Sequence, residues 1–238
     1  MNKSSLEHIL FVDIETVSVY DHIKELDPRL RVQWDRKFAS FRHPEDRNPE
    51  DLYTEKAALY AEFGKIIVIG LGFFSGDNEK RELRLKALAG NDEKKLLEEF
   101  RDIVRKFDPE RLKLCAHNGR SFDFPYLSRR MLINGLTLPE VLRLAGKKPW
   151  EINHLDTMEL WRFGDYRHYT SLDLLAALFD IPSSKGEIDG SSVGKVYHQD
   201  HDIEGIARYC LNDVEVTARI YLRLTEQHET VFEVVYVD

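Results

Sequence analysis

The stretch His8-Ile-Leu-Phe-Val-Asp-Ile-Glu-Thr16 begins as an apolar run and then presents two acids, Asp13 and Glu15, separated by one residue. Residues 8–14 read as a buried strand. Side chains two apart on a strand share a face, so the two carboxyls point the same way. Like charges so placed repel unless a cation is shared between them. An oxygen-rich pair of this kind suits Mg²⁺ or Mn²⁺. Alone, Asp-x-Glu equally describes a strand end entering solvent, so its meaning depends on the rest of the chain.

Outward from this strand, residues 18–64 are mostly polar and charged. They read as an insertion with two short amphipathic helices, one carrying Leu30, Trp34, Phe38 and Phe41 and the other Leu59, Tyr60 and Phe63. Ile66–Phe74 is a continuous apolar run, which suits a central strand covered on both faces. After the turn at 75–78, Glu82–Leu88 alternates apolar and polar residues and predicts a half-exposed strand. Asn91-Asp-Glu93 opens a helix with a stripe of Leu96, Phe100, Ile103, Val104 and Phe107. Leu112–Ala116 is a fourth strand. Pro125 suits the first turn of a helix that ends at Asn134-Gly135. Leu172–Phe179 is helical, 183–200 is a Gly/Ser-rich stretch expected as a mobile loop, and Ile203–Leu224 is a long helix. Its stripe is Ile203, Ala207, Cys210, Val214, Thr217 and Tyr221. Residues 225–238 are a tail, either a late strand or a partner-binding segment. The pattern is a mixed α/β sheet flanked by helices, in one domain over 1–238.

Composition narrows the class. Of 238 residues only two are cysteines, Cys115 and Cys210, both in apolar patterns, so buried free thiols in a reducing, cytoplasmic setting are expected. No apolar run approaches a membrane span. The net charge of −8 is unusual for a nucleic-acid binder, but residues 101–150 hold 11 Lys/Arg against 5 Asp/Glu. A basic middle in an acidic chain is either an electrostatic footprint or a solvated surface.

Two further acids stand in comparable settings. Asp123 follows the fourth strand in Ala116-His-Asn-Gly-Arg-Ser-Phe-Asp123, just before Pro125. Tyr209 and Asp213 are four apart in Tyr209-Cys-Leu-Asn-Asp213, which stacks them on a helix beside the core stripe. Singly, Asp123 reads as a helix-start carboxylate and Asp213 as a residue of a half-exposed face. Four acids recurring in order make a combined signal.

In order and spacing, Phe11-Val-Asp-Ile-Glu-Thr16, Asn118-Gly-Arg-Ser-Phe-Asp123 and Tyr209-Cys-Leu-Asn-Asp213 resemble the motifs of the DEDD 3′–5′ exonucleases, which have a ribonuclease H-like fold. Tyr209 stands where the tyrosine subtype has its tyrosine. The histidine subtype would need His at 208, which is Arg here. Residues 187–193 and 203–214 narrow the resemblance to stand-alone exonucleases related to the proofreading domain of family-B DNA polymerases. The resemblance implies removal of nucleotides from the 3′ end of nucleic acid, with single-stranded DNA the expected substrate, by two divalent ions, Mg²⁺ or Mn²⁺. It implies Asp13 as the bridging ligand, Glu15 and Asp213 completing the tighter site, Asp123 acting on the second ion, and Tyr209 orienting water. An RNA-processing exonuclease on the same fold and a catalytically silent nucleic-acid-binding module remain alternatives. About fourteen residues follow Leu224, so a proofreading or repair role would need a separate polymerase or repair partner.

Around the acids, Thr16 and Asn118 are expected at the terminal nucleotide, and Phe122 either stacks on a base or covers the helix start. Arg120, Arg129, Arg130 and Lys185 are candidates for phosphate contacts, with surface charge the alternative for each. Trp150, Trp161, Tyr166 and Tyr169 are expected in core packing rather than in a strand channel. His154, His168, His198 and His201 lack metal-ligand spacing and have no assigned role.

Overall fold

The computed structural model describes residues 6–40, 48–77, 80–165, 167, 169–183 and 188–237. Six strands, β1 (Ile9–Ser18), β2 (Gly64–Ser75), β3 (Glu82–Ala89), β4 (Lys113–Ala116), β5 (Leu155–Asp156) and β6 (Glu233–Tyr236), form one sheet in the order β5-β4-β1-β2-β3-β6. Only β2 runs against the others. Helices α1 (Pro28–Ser40) and α2 (Pro49–Lys56) lie between β1 and β2, α3 (Glu93–Val104) between β3 and β4, and α4 (Asp123–Ile133) after β4. After β5 come α5 (Thr157–Arg162), α6 (Leu172–Leu178), α7 (Val193–Lys195) and α8 (Ile203–Leu224). None of the described helices is long and apolar enough to cross a membrane.

The alternation of β1 distributes its residues between two cores. Leu10, Val12 and Ile14 pack with Leu97 and Phe100 of α3 and Phe124 and Leu127 of α4. Ile9 and Phe11 pack with Val214, Ala218 and Tyr221 of α8. Asp13 and Glu15 continue the second set, so the strand's period aims both acids at α8. Asp13 pairs across the ladder with Gly70. A Cβ on Gly70 would lie 2.8 Å from the Cys210 Sγ and 2.9 Å from the Val214 Cγ2, so a residue without a side chain lets α8 settle against the sheet. The far side of α8 buries Val216 and Ile220 against Leu175 and Ala176 of α6.

Several expectations change. No strand interrupts the described residues between Ser18 and Gly64, and Trp34 is buried on Tyr53 and Phe63. Leu59, Tyr60 and Phe63, however, do not make a helix. The second helix is α2, with Pro49 in its first turn and an Asn48 cap accepting from the Asp51 amide. Its chain tightens through a 3₁₀ turn at Ala57–Leu59 and enters β2. The stretch expected as a loop over 183–200 is helical from Val193, which is buried, through Asp200. The tail is strand β6, laid parallel to β3. Phe41, Tyr166, His168, Lys185 and Glu187 lie outside the described residues.

Candidate active site

Beyond Phe11 the pairing of β1 with β4 ends, and the Ile14 amide donates to the Asp123 Oδ1 at 3.2 Å. That bond draws the start of α4 to the strand end that carries Asp13 and Glu15. From the other side α8 brings the Cys210 thiol, which donates to the Asp13 Oδ2 at 3.2 Å, and one turn later Asp213, which is buried. Asp13, Glu15 and Cys210 each offer a ligand atom, all within 4.8 Å of one another. Three separate elements therefore meet at one point.

The electrostatics are those of a site that favours a cation. Burial, then the carboxylates of Asp213, Glu15 and Asp123, raise the Asp13 carboxyl well above its ordinary range. Burial, Asp213 and Asp123 do the same to Glu15. Asp123 is pushed up to about 7 chiefly by burial, against the pull of its backbone hydrogen bonds. The strongest charges acting on Asp13 and Glu15 are other carboxylates, and a hard divalent ion is the partner that lets such a cluster ionise together. Burial comes first for Tyr209 as well, followed by Asp213, Glu15 and Asp13. Together they hold it as the phenol at neutral pH. Cys210, expected only as a buried free thiol, is buried and free but stands within the cluster, its thiol form favoured by burial and Asp13.

A cleft of about 650 Å³ opens beside Glu15 and Thr16. Phe122 lines one wall while also packing on Tyr126. Thr54, Lys56, Ala58 and Leu59 of the insertion line another, and Gly190, Lys195 and His198 a third. The Thr16 hydroxyl donates to the Ala58 carbonyl at 2.9 Å, fastening the insertion to the strand end. His198, left without a role by the sequence, lines this cleft and shares a 3.1 Å hydrogen bond with the Ser18 hydroxyl. Asn118 is not among the residues of the cleft. Its φ of 63° turns the chain from β4 towards α4, and Gly119 follows so closely that a Cβ there would lie 2.4 Å from the Ala116 Cβ.

The residue that holds this turn is Asp156, which the sequence reading missed. Its carboxylate accepts from the amides of Asn118 (2.9 Å), Arg120 (3.1 Å), Met158 (3.0 Å) and Glu159 (3.4 Å), fixing the approach to α4 and capping α5 at once. The signal available was Asp156-Thr157 ahead of a short helix, but β5 is two residues long and has no readable period.

The candidate phosphate ligands divide. Arg130 is buried, and its guanidinium binds both oxygens of Glu93, with Nε to Oε1 at 2.8 Å. Glu93 also accepts from the Ile66 amide at 2.8 Å. Arg120 donates to the Glu159 Oε2 at 2.6 Å and to the Pro149 carbonyl. Neither is free for phosphate, while Arg129 is exposed on α4. His154 is buried, its Nδ1 accepting from the Leu114 amide and its Nε2 facing the Val141 carbonyl at 2.8 Å. Trp161 packs on Phe179 as expected, but Trp150 and Tyr169 are exposed rather than in the core.

A mixed sheet covered by helices on both faces, with buried acids from β1, α4 and α8 gathered at one end, defines a metal-using nuclease of the ribonuclease H-like fold. The chain belongs to the family described as predicted 3′–5′ exonucleases related to the exonuclease domain of PolB, whose model matches residues 58–238. It is 25% identical over 186 residues to a DNA polymerase of Thermococcus sp. (strain 9oN-7), covering 71% of this chain and 23% of that protein. It is likewise 25% identical over 185 residues to a DNA polymerase of Pyrococcus horikoshii, covering 71% and 14%. The fold matches the family B DNA polymerase of Pyrobaculum calidifontis with a TM-score of 0.58 at 17% identity, over 91% of this chain and 24% of that one. The chain thus spans less than a quarter of the length of these relatives. Asp13 and Glu15 precede the segment matched by the family model, so their link to the site rests on their position beside Asp123 and Cys210.

Proposed function

We propose that the chain removes nucleotides from the 3′ end of single-stranded DNA, as one exonuclease domain, with two divalent ions held by Asp13, Glu15, Asp123 and Asp213. The observation that carries this reading is the meeting of the four acids from β1, α4 and α8 with their charges mutually destabilised. The all-carboxylate oxygen set suits Mg²⁺ or Mn²⁺. When bound, such ions supply a water nucleophile active at neutral pH and offset charge developing on the phosphodiester.

The chain's own groups would then orient the reactants. Tyr209, kept as a phenol, can donate or accept a hydrogen bond but is a poor base, which supports a positioning role toward the attacking water. The cleft has the volume of pockets that take a small ligand, and so suits one terminal nucleotide. Phe122 offers a face to its base, while Lys56 and Lys195 offer charge to its phosphates. Thr16 lines that cleft and is a candidate contact for the terminal nucleotide, as is Asn118 on the turn into α4. DNA is favoured over RNA by the relatives named as DNA polymerases.

The test is degradation of 5′-labelled single-stranded DNA and RNA with Mg²⁺ or Mn²⁺. DNA should shorten stepwise from its 3′ end, EDTA should stop the reaction, and the Asp13→Ala/Glu15→Ala variant should be inert. Equal degradation by wild type and variant would reject the site, and preferential degradation of RNA would reject the DNA assignment.

A further inference from the structure

We propose that Trp150, Phe163 and Tyr169, with Lys147 and Lys148, form a platform that holds the unpaired nucleotides 5′ of the scissile one. Trp150 is 75% exposed, Phe163 85% and Tyr169 67%. Large aromatic surface is costly to leave in water. These three are not loose side chains at a frayed end. Trp150 sits on the turn Pro149–Glu151, whose Glu151 carboxylate accepts from the Lys148 amide at 2.7 Å. Arg120 joins that turn to α5 by donating to the Pro149 carbonyl and to Glu159 at once. Phe163 ends α5 in the left-handed region, with φ of 46°. Tyr169 is next to Thr170, whose carbonyl is held at 2.8 Å by His117, itself bonded to Thr157 at the start of α5. All three aromatics are thus fastened to the same short helix and its flanks.

The chemistry of the surface selects its occupant. Lys148 Nζ lies 5.2 Å from the centre of the Trp150 ring, and Lys147 and Lys148 are both exposed. Cationic side chains beside exposed rings fit a strand of stacked bases with a phosphate backbone, because every base has a π-face and every linkage a negative charge. The place is also right. Asp156, at the end of β5, binds the amides of Asn118 and Arg120 and acts electrostatically on Asp123. The platform therefore adjoins the acid cluster through that turn, whereas the 650 Å³ cleft reaches the cluster at Glu15 and is walled by other segments. A strand with its 3′ nucleotide in the cleft can lay its preceding nucleotides over α5. This rests on the reading that a single strand is the substrate.

The test separates the two claims. In the metal-free protein, an oligothymidylate of about 20 nucleotides should quench the emission of Trp150, since Trp34 is buried and Trp161 is covered by Phe179. With metal, Trp150→Ala/Phe163→Ala/Tyr169→Ala should lower kcat/KM on that strand by about tenfold or more while leaving cleavage of a trinucleotide unchanged. In Lys147→Ala/Lys148→Ala, the salt dependence of binding should flatten by about 1.4 in log–log slope, roughly 0.7 per phosphate contact. Absence of quenching, an undiminished preference of the triple variant for the longer strand, or an equal loss on both substrates would overturn the platform. Quenching without cleavage of either strand would sink the exonuclease reading alone. Cleavage without quenching would sink the platform alone.

Discussion

The Cys210 thiol lies 3.2 Å from the Asp13 Oδ2, joining residues 197 apart in the chain at the contact between α8 and β1. That approach depends on Gly70, opposite Asp13 in the ladder. Gly70→Val should force the helix outward, destabilise the protein by about 1–3 kcal/mol, and lower activity more than stability loss explains. Urea unfolding and initial rates at a temperature well below unfolding check this. An unchanged midpoint with full activity would show that the close approach is dispensable.

Removing charge from the acid cluster should stabilise the metal-free protein. Asp13→Asn or Asp123→Asn relieves repulsion among buried carboxylates, raising Tm by roughly 2–4 °C for each kcal/mol relieved, while activity is lost. Mg²⁺ or Mn²⁺ should raise the Tm of wild type more than that of either variant, because only wild type holds the full ligand set. Thermal scans with EDTA and with metal decide it, and equal metal shifts in all three proteins would contradict the assignment.

Asp156 is expected to stabilise the fold through its four amide contacts. Asp156→Ala leaves four amides without their acceptor and should cost about 2–4 kcal/mol, combining a lost cap with unsatisfied donors. Asp156→Asn can keep the oxygen that serves Asn118, Met158 and Glu159, so it should cost less. If Asn proves as damaging as Ala, the charge on Asp156 matters more than its acceptor geometry.

Arg130→Ala should destabilise by roughly 3–5 kcal/mol by leaving Glu93 buried without its partner. Because Arg130 holds Glu93 rather than substrate, KM for a nucleic-acid strand should be unchanged in the fraction that remains folded. A raised KM without loss of stability would restore the phosphate-contact role.

Burial lowers the imidazole of His154 to about 4. The unfolded chain, with an ordinary histidine near 6.5, then binds this proton first as pH falls. Its contribution to stability is present above about 6.5 and is lost progressively as pH falls towards about 4, a change on the order of 3 kcal/mol. His154→Gln should remove that slope. Comparing urea midpoints of the two proteins between pH 7 and pH 4.5 isolates the effect, and parallel curves would rule it out.

Much of the site was legible because its signals are local. The apolar start and two acids of β1, the unbroken run of β2 and the stripe of α8 repeat within one or two turns or a few strand residues, which is the range over which period reports structure. Glu93 was readable as a first-turn acid of α3, but not as the partner of Arg130, 37 residues away. The stretch between β1 and β2 was readable as free of strands, but not as a wall of the cleft.

The sequence by itself determined β1 to β4, α1, α3, α4, α6 and α8 in their order, and the succession Asp13, Glu15, Asp123, Tyr209 and Asp213. The tertiary structure decided what each of those residues meets. It placed the Cys210 thiol against Asp13, set Asp156 beneath the turn to α4, took Arg120 and Arg130 into internal ion pairs, and left Trp150 on the surface. The physical reason is one of range: side-chain period is set by the backbone within a single element, whereas contacts across 37 to 197 residues depend on how closely packed elements approach, which for α8 against β1 is set by the absent side chain of Gly70.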